Sequence, residues 1–312
     1  MKFKFTHVDL LLLMMVIFWG ANITIIKVAL KHFDPIAFNC LRFLIASFTM
    51  LFLYRDVLKD RLDKRELFSL LILGVLGNTI YQFLFINGVK YTFVSHTSIL
   101  LGTTPIFTAA FTKFSGYEVV RKRIWFGIFL SFIGVLLIVF GRSDFLQNGL
   151  HANIGDLFIV LASFVWSIYT TYSKNLISEY SSRHYILYTV LFGTMFMIPF
   201  SIPALRAQDW NAVTEADWGA LVYSAMMALV YGYSAWYYGV QKIGSTRTSV
   251  YSNLTPVAGL CIGMIFLGDR LSALQWLGAA VIFTGLLLNR LQARAVPATA
   301  YPEEVFDVSV TK

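Results

Sequence analysis

Long apolar stretches separated by short polar segments run through almost the entire chain. A helix needs about 20 mostly apolar residues to cross the hydrocarbon core of a bilayer, and stretches of that length recur ten times. The pattern therefore predicts an all-α integral membrane protein with ten transmembrane helices. The first five predicted helices are Leu10–Ala29, Ile36–Leu53, Leu67–Val89, Phe93–Phe114 and Ile124–Phe140. The second five are Ile154–Tyr172, Tyr185–Pro203, Trp218–Val240, Thr248–Leu267 and Leu271–Asn289.

The composition excludes an ordinary water-soluble domain. Of the 312 residues, 57% are hydrophobic and 13% are charged, whereas about a quarter are charged in a typical soluble domain. The formal charge of +8 comes from short basic runs between apolar stretches, so we expect no nucleic-acid partner. Cys40 and Cys261 both lie in apolar stretches and predict no disulfide framework.

The basic residues also predict the orientation of the chain. With the N-terminus inside, the inner segments hold 18 Lys and Arg residues, the outer segments hold 6, and Arg42 lies within the second helix. Cytoplasmic loops of membrane proteins are enriched in Lys and Arg. The count therefore predicts that both termini are cytoplasmic, with residues 293–312 as a disordered cytoplasmic tail.

The chain contains an internal repeat. A shift of 151 positions places the segment from Gly88 to Leu137 on the segment from Gly239 to Leu288, with 12 identities and no gap. A shift of 147 places Trp19 on Trp166, so the first helix matches the sixth. Because five helices are repeated and five is odd, the second copy must enter the membrane from the opposite side. The sequence therefore predicts an inverted-topology repeat.

An inverted repeat has a functional consequence. Two such halves, here residues 8–142 and 152–290, enclose a site near the bilayer midplane and can exchange inward-open and outward-open states. Many secondary transporters are built in this way. The alternatives are a channel or a scaffold subunit, in which duplication only produced a stable bundle. A saturable flux that a second substrate inhibits distinguishes a carrier from both.

Short motifs, some of them at matching places in the two halves, carry a family resemblance. They are Phe18 to Asn22, Leu41 to Leu44, Thr104-Pro105, Thr255-Pro256, and Leu267 to Leu271 followed by Trp276 to Gly278. With these motifs in this order, the chain from Val8 to Asn289 resembles the EamA-type branch of the drug/metabolite transporter superfamily. The resemblance implies a ten-helix carrier of amino acids or other metabolites, often an exporter, in a bacterial inner membrane.

Aromatic and amide side chains in several predicted helices are candidates for substrate binding. Trp19 and Asn22 lie one helical turn apart, as do Trp166 and Tyr169 in the equivalent helix, and the resemblance implies that these helices line the cavity. Rings can stack on a ligand and an amide can orient it, although helix packing accounts for the same residue types. The predicted substrate-binding residues are Trp19, Asn22, Tyr81, Gln82, Phe85, Trp166, Tyr169, Tyr233, Trp236, Tyr251 and Asn253.

Five further residues are candidates for gating or structural roles. Arg42 lies within a predicted span, where it either contacts a substrate carboxylate or snorkels and pairs with backbone carbonyls. Pro105 and Pro256 each remove a helix hydrogen bond, which gives either a gating kink or a static bend. Lys27 and Lys174 lie at opposite membrane faces, where they either close a mouth of the cavity or anchor a helix at the interface.

The rival class is a membrane-embedded enzyme. Its nucleophile, base or metal ligands are missing from the sequence pattern, so we predict no catalytic residue, no metal site and no cofactor. Since no acidic residue lies at a predicted bilayer centre, we favour facilitated movement or exchange over proton coupling, with His96 as the residue able to titrate. The expected partners are a small amphipathic substrate, such as an aromatic amino acid, and the lipid bilayer, with the chain a monomer or homodimer.

Overall fold

The computed structural model describes residues 6–116, 120–141, 154–262 and 272–290. These residues form helices joined by short turns, and no strand is found among them. The α-helices of the first half are α1 (His7–Ala29), α2 (Pro35–Leu53), α3 (Lys64–Gly74), α4 (Tyr81–Tyr91), α5 (Val94–Leu101), α6 (Thr104–Ser115) and α7 (Lys122–Phe140). Those of the second half are α8 (Ile154–Glu179), α9 (Ser182–Ala207), α10 (Glu215–Tyr223), α11 (Gly232–Ile243), α12 (Ser245–Tyr251), α13 (Thr255–Ile262) and α14 (Ala273–Arg290).

Six helical segments in the described ranges have the length and composition needed to cross a membrane. They are His7–Ala29, Pro35–Leu53, Lys64–Tyr91, Lys122–Phe140, Ile154–Lys174 and Ser182–Ala207. The predicted stretches 93–114, 218–240 and 248–267 are each divided into shorter elements, and the Leu267 to Leu271 motif lies outside the described residues. Helices are what the apolar pattern requires, because lipid offers the backbone no water with which to form hydrogen bonds.

Acidic residues fix the N-termini of α1 and α10. Asp9 and Asp217 each stand three residues after a threonine, and each carboxylate accepts the backbone N–H of that threonine. The N···O distances are 2.8 Å from Thr6 and 2.9 Å from Thr214. These contacts satisfy N–H groups that a helix end leaves unpaired and place negative charge at the positive end of the helix dipole.

Two helices of the second half extend further than the apolar pattern predicts. α8 ends at Glu179 instead of Tyr172, because a helix need not stop where its sequence leaves the hydrocarbon core. α9 continues to Ala207, so the predicted end at Pro203 is wrong, and Pro199 also lies inside this helix. Proline is tolerated inside membrane helices because neighbouring groups satisfy the freed backbone carbonyl.

Interruptions occur at equivalent places in the two halves. A π-helical turn, Val75–Ile80, joins α3 to α4, and another, Ser224–Tyr231, joins α10 to α11. α5 ends shortly before Pro105, and a 3₁₀ turn, Ser252–Leu254, precedes Pro256. A proline has no N–H to donate and its ring clashes with the carbonyl four residues earlier, which explains the second pair of interruptions.

Close contacts join helices from different halves at equivalent positions. A Cβ atom added to Gly88 on α4 would lie 2.5 Å from Ile159 Cδ1 on α8. A Cβ atom added to Gly239 on α11 would lie 3.0 Å from Leu12 Cδ2 on α1. Each glycine therefore lets its helix approach the partner more closely than a larger residue would allow.

α7 and α14 cross with their directions opposed. A Cβ atom on Gly134 would lie 2.7 Å from the carbonyl oxygen of Gly278, and one on Gly285 would lie 2.6 Å from the carbonyl oxygen of Gly127. Residue numbers rise along α7 as they fall along α14, which makes the pair antiparallel. Small residues at such a crossing allow the close backbone contact that drives helix association in lipid.

Candidate functional site

A cavity of about 90 Å³ lies at the mid-length of several helices, where elements from both halves meet. Sites for drug-sized ligands usually measure roughly 300–1,000 Å³, so the cavity must widen to take a metabolite. Its lining residues come from α1, α2, α4, α5, α6, α8, α11 and α13, and from the turns that precede α6, α11 and α13. They are Trp19, Asn22, Ile23, Arg42, Tyr81, Gln82, Phe85, Ser98, Leu101, Gly102, Thr104, Trp166, Ala228, Leu229, Tyr233, Ser252, Thr255 and Pro256.

Trp166 is at the centre of the aromatic part of this lining. Its ring centroid lies 4.7 Å from that of Tyr81, 5.3 Å from that of Tyr233 and 6.1 Å from that of Trp19. Trp19 Nε1 donates to the carbonyl oxygen of Ala228 at 2.9 Å, which fixes the orientation of this second indole. The rings meet at tilted or edge-on angles, the arrangements that aromatic pairs prefer. Together they form a large apolar surface with few polar edges.

Arg42 is the charged residue of the lining, and neutral side chains hold its guanidinium group. Nε donates to Asn39 Oδ1 at 2.8 Å, Nη1 donates to Ser224 Oγ at 2.9 Å, and Nη2 donates to Gln82 Oε1. Gln82 Nε2 in turn donates to the hydroxyl of Tyr233 at 2.6 Å. Since only 1% of Arg42 is exposed and its hydrogen bonds go to side chains, neither snorkelling nor pairing with backbone carbonyls describes this arginine.

The lining brings together seven of the predicted substrate-binding residues. They are Trp19, Asn22, Tyr81, Gln82, Phe85, Trp166 and Tyr233.

Two predicted aromatic residues lie behind the lining. The Tyr169 hydroxyl accepts a hydrogen bond from Asn78 Nδ2 at 3.1 Å. Trp236 is fully buried, donates from Nε1 to Thr170 Oγ1 at 3.3 Å, and has its ring 5.6 Å from that of Trp166. Both residues support the wall of the cavity from outside.

Tyr251 and Asn253, the predicted residues of the ninth helix, also lie away from the lining. The Tyr251 hydroxyl donates to the Asp9 carboxylate and so joins α12 to the start of α1. Asn253 is fully buried, and its amide atoms have no hydrogen-bond partner within the described residues.

The predicted gating residues occupy different environments. Lys27 Nζ donates to the carbonyl oxygens of Val89, Lys90 and Thr92 at 2.7, 2.8 and 2.7 Å, which satisfies the C-terminal end of α4. Lys174 lies in α8 beyond the predicted end of its span and is half-buried.

The two prolines also differ. Pro256 lines the cavity, whereas Pro105 is buried beside it without reaching the lining.

Sequence reasoning missed the remaining part of the lining, which consists of small, hydroxyl and aliphatic residues. These residue types are more often packing contacts than ligands, so their identity gave no signal. The Thr-Pro pairs at equivalent positions of the two halves were the available sequence signal, because several lining residues lie next to the helix interruptions at these prolines. The missed residues are Ile23, Ser98, Leu101, Gly102, Thr104, Ala228, Leu229, Ser252 and Thr255.

The lining offers groups that can bind a small molecule. Within the described ranges, no group of three His, Cys, Asp or Glu side chains is placed to hold a metal ion. The lining instead combines one cation, amide and hydroxyl groups, and aromatic rings. Such a set can hold and orient an amphipathic molecule.

Several known proteins that this chain resembles are named as transporters or efflux pumps. The EamA-like transporter family matches residues 7–140 and 153–291. An uncharacterized transporter of Bacillus subtilis is 27% identical over 91% of this chain and 93% of its own length. A protein of Salmonella typhimurium named as a probable amino-acid metabolite efflux pump is 29% identical, over 89% of this chain and 93% of its own length.

A solved crystal structure has the same fold. It superposes with a TM-score of 0.75 at 16% sequence identity, covering 92% of this chain and 97% of that chain. At this identity the likeness concerns the fold alone.

Proposed function

We propose that this chain, a multi-pass membrane protein that belongs to the EamA-like transporter family, carries a small metabolite by alternating access of two inverted repeats. The single observation that carries this proposal is the composition of the cavity lining. α1, α2, α4, α5 and α6 supply one part, and α8, α11, α13 and the turns preceding α11 and α13 supply the other. When two halves that share a site move relative to each other, the site can open to one side of the membrane and close to the other.

The helix contacts support the inverted relation of the repeats. The shift of 151 relates Gly127 to Gly278 and Gly134 to Gly285, and these residues meet across the antiparallel crossing of α7 and α14. Equivalent helices that pack antiparallel across a common axis are what inversion in the membrane plane requires.

The contacts of Gly88 and Gly239 support the same relation. The shift of 151 relates these two glycines, and the shift of 147 relates their partners, Ile159 and Leu12. The same contact between equivalent helices therefore occurs twice, once in each orientation of the proposed inverted repeat.

The proposed substrate is a small amphipathic metabolite, with aromatic or other apolar amino acids as the leading candidates. The rings around Trp166 suit an apolar side chain, and Arg42 and Asn22 suit polar groups. Proteins of Salmonella typhimurium and Escherichia coli with 29% and 28% identity are named as probable amino-acid metabolite efflux pumps. We place the chain in a bacterial inner membrane, with both termini cytoplasmic and export as the direction of transport.

Uptake into proteoliposomes from a mixed pool of amino acids and other metabolites, followed by mass spectrometry, tests this function. We expect a small set of compounds to enter saturably and to compete with one another. Uptake that rises linearly with concentration and lacks competition would indicate a channel. No uptake above that of empty liposomes would contradict a transport function.

A further inference from the structure

The guanidinium group of Arg42 forms part of the cavity wall and has no acidic neighbour. Its hydrogen bonds go to Asn39, Ser224 and Gln82, and all three of these side chains are neutral. No salt bridge to Arg42 is formed in the described part of the chain. The other titratable groups of the lining, the hydroxyls of Tyr81 and Tyr233, are neutral at physiological pH. The cavity therefore carries one net positive charge.

The guanidinium group also keeps unused hydrogen-bonding capacity. An arginine has five N–H donors, and the contacts to the three neutral side chains use three of them. The remaining two belong to the Nη atoms, which form the planar fork that matches a carboxylate. A buried cation without a counter-charge is costly inside a membrane protein. A ligand carboxylate would supply both the charge and the acceptors.

Asn22 supplies an unused acceptor on the same cavity. The residue is 6% exposed, it lines the cavity, and its Oδ1 atom has no hydrogen-bond partner within the described residues. A buried amide oxygen normally has a partner, and an N–H donor of a bound ligand would supply one. An ammonium group is such a donor.

We propose that the cavity recognises the zwitterionic head of an α-amino acid, with the carboxylate on Arg42 and the ammonium group on Asn22. This proposal rests on the transport function proposed above and deepens it, because it names the two atoms of the substrate that the site reads. The side chain of the amino acid then lies among the rings of Trp19, Tyr81 and Trp166. Arg42 is the specificity-determining residue, since the net charge of the cavity depends on it.

The rival explanation is that Arg42 only joins α2 to the helices carrying Gln82 and Ser224. A purely structural arginine would affect all ligands alike. If Arg42 binds the ligand carboxylate, its substitution weakens the binding of ligands that have a carboxylate and leaves the binding of the others unchanged. The ratio between two ligands that differ in this group therefore separates the two explanations.

The test uses four probes on purified, full-length protein in detergent, with binding followed by thermal stabilisation. The probes are L-phenylalanine, its methyl ester, phenethylamine, which lacks the carboxylate, and 3-phenylpropionate, which lacks the ammonium group. We expect L-phenylalanine to bind at least tenfold more tightly than phenethylamine or the ester, because a charge-assisted pair is worth roughly 10- to 100-fold in affinity. Equal binding of L-phenylalanine and phenethylamine, or no binding of L-phenylalanine, would overturn the proposal.

Variants assign the two recognition groups. In Arg42→Gln the preference for L-phenylalanine over phenethylamine should disappear, and in Arg42→Lys it should weaken but persist. In Asn22→Ala that preference should remain. The wild type should also prefer L-phenylalanine to 3-phenylpropionate, because Asn22 accepts from the ammonium group, and Asn22→Ala should lose this second preference. Ser224→Ala removes one hydrogen bond of Arg42 and keeps its charge, so both preferences should be retained. Loss of the amine preference in Ser224→Ala to the same degree as in Arg42→Gln would favour the structural role and overturn the proposal.

If Arg42→Gln does not fold, Arg42→Lys and the four probes on the wild-type protein still decide the outcome. Uptake from the mixed pool separates this proposal from the transport function. Saturable uptake restricted to compounds without a carboxylate would overturn amino-acid recognition and leave the transporter intact, whereas no uptake would remove the transport function itself.

Discussion

Side chains at the centre of the bundle either line the cavity or pack behind its wall. Trp166 contributes to the lining, whereas Trp236 is fully buried behind it and bonds to Thr170. The same residue type therefore has different consequences when it is removed. Removal of Trp166 should affect substrate binding, and removal of Trp236 should affect the stability of the fold.

We predict that Trp236→Ala lowers the stability of the protein by about 3–5 kcal/mol, the usual cost of emptying a buried aromatic site. The measurement is thermal unfolding in detergent. Trp276→Ala is the matched control, because 58% of Trp276 is exposed on the surface of α14 and its loss leaves no internal void. Equal melting temperatures for Trp236→Ala and the control would show that Trp236 does not support the wall.

Sequence alone located the large aromatic and amide residues of the cavity better than its small ones. Trp19 and Trp166 stood out because they are bulky, are related by the repeat, and lie within predicted spans. Leu101, Gly102 and Thr255 could not be identified, because nothing in their residue type separates a lining position from a packing position. Their position in the lining depends on the helix interruptions at the two prolines and on how the helices pack, and residue type alone reveals neither.

At the scale of elements, glycines determine how closely the helices pack. The Cβ atom of any larger residue at position 134 would lie 2.6 Å from Ile282 Cγ1 and 2.7 Å from the carbonyl oxygen of Gly278. Backbone cannot move aside as easily as the end of a flexible side chain. The crossing of α7 and α14 therefore excludes larger residues at position 134.

We predict that Gly134→Leu destabilises the protein by roughly 1–3 kcal/mol or more through overpacking at this crossing. Gly219→Ala serves as its control, since no atom lies within 4 Å of a Cβ atom added there and alanine favours helix formation. Thermal unfolding of both variants in the same detergent measures the difference. A melting temperature of Gly134→Leu at or above that of the wild type would show that the crossing of α7 and α14 tolerates a larger residue.

Element positions followed from the apolar pattern, but irregular turns did not. α1, α2 and α7 begin or end within a few residues of the predicted bounds, because apolar length and helix-capping residues are both visible in the sequence. The π-helical turns Val75–Ile80 and Ser224–Tyr231 carry no such mark. They depend on contacts with neighbouring helices, such as that of Gly77 with the Tyr169 ring.

At the scale of the whole molecule, an inverted repeat requires equivalent loops of its two halves to lie on opposite sides of the membrane. Lys59, between α2 and α3, and Asn211, between α9 and α10, are both exposed and occupy equivalent connections. The distribution of basic residues predicts that Lys59 lies inside and Asn211 outside.

We predict that a cysteine at Asn211 reacts with a membrane-impermeant maleimide in intact cells, whereas a cysteine at Lys59 reacts only after permeabilisation. Both substitutions are made in a Cys40→Ala, Cys261→Ala background, which removes the native thiols. Transport by the cysteine-free parent shows that the background is functional. Labelling of both positions from the same side would exclude an inverted repeat.

The cavity around Trp166 is the proposed transport site. The most direct measurement is counterflow in proteoliposomes of a substrate identified from the mixed pool, compared between Trp166→Ala and the surface-exposed control Trp276→Ala. We predict roughly a tenfold or greater loss of counterflow in Trp166→Ala, because the substrate loses a large apolar contact, and near wild-type counterflow in Trp276→Ala. Unchanged counterflow in a correctly folded Trp166→Ala protein would contradict the account.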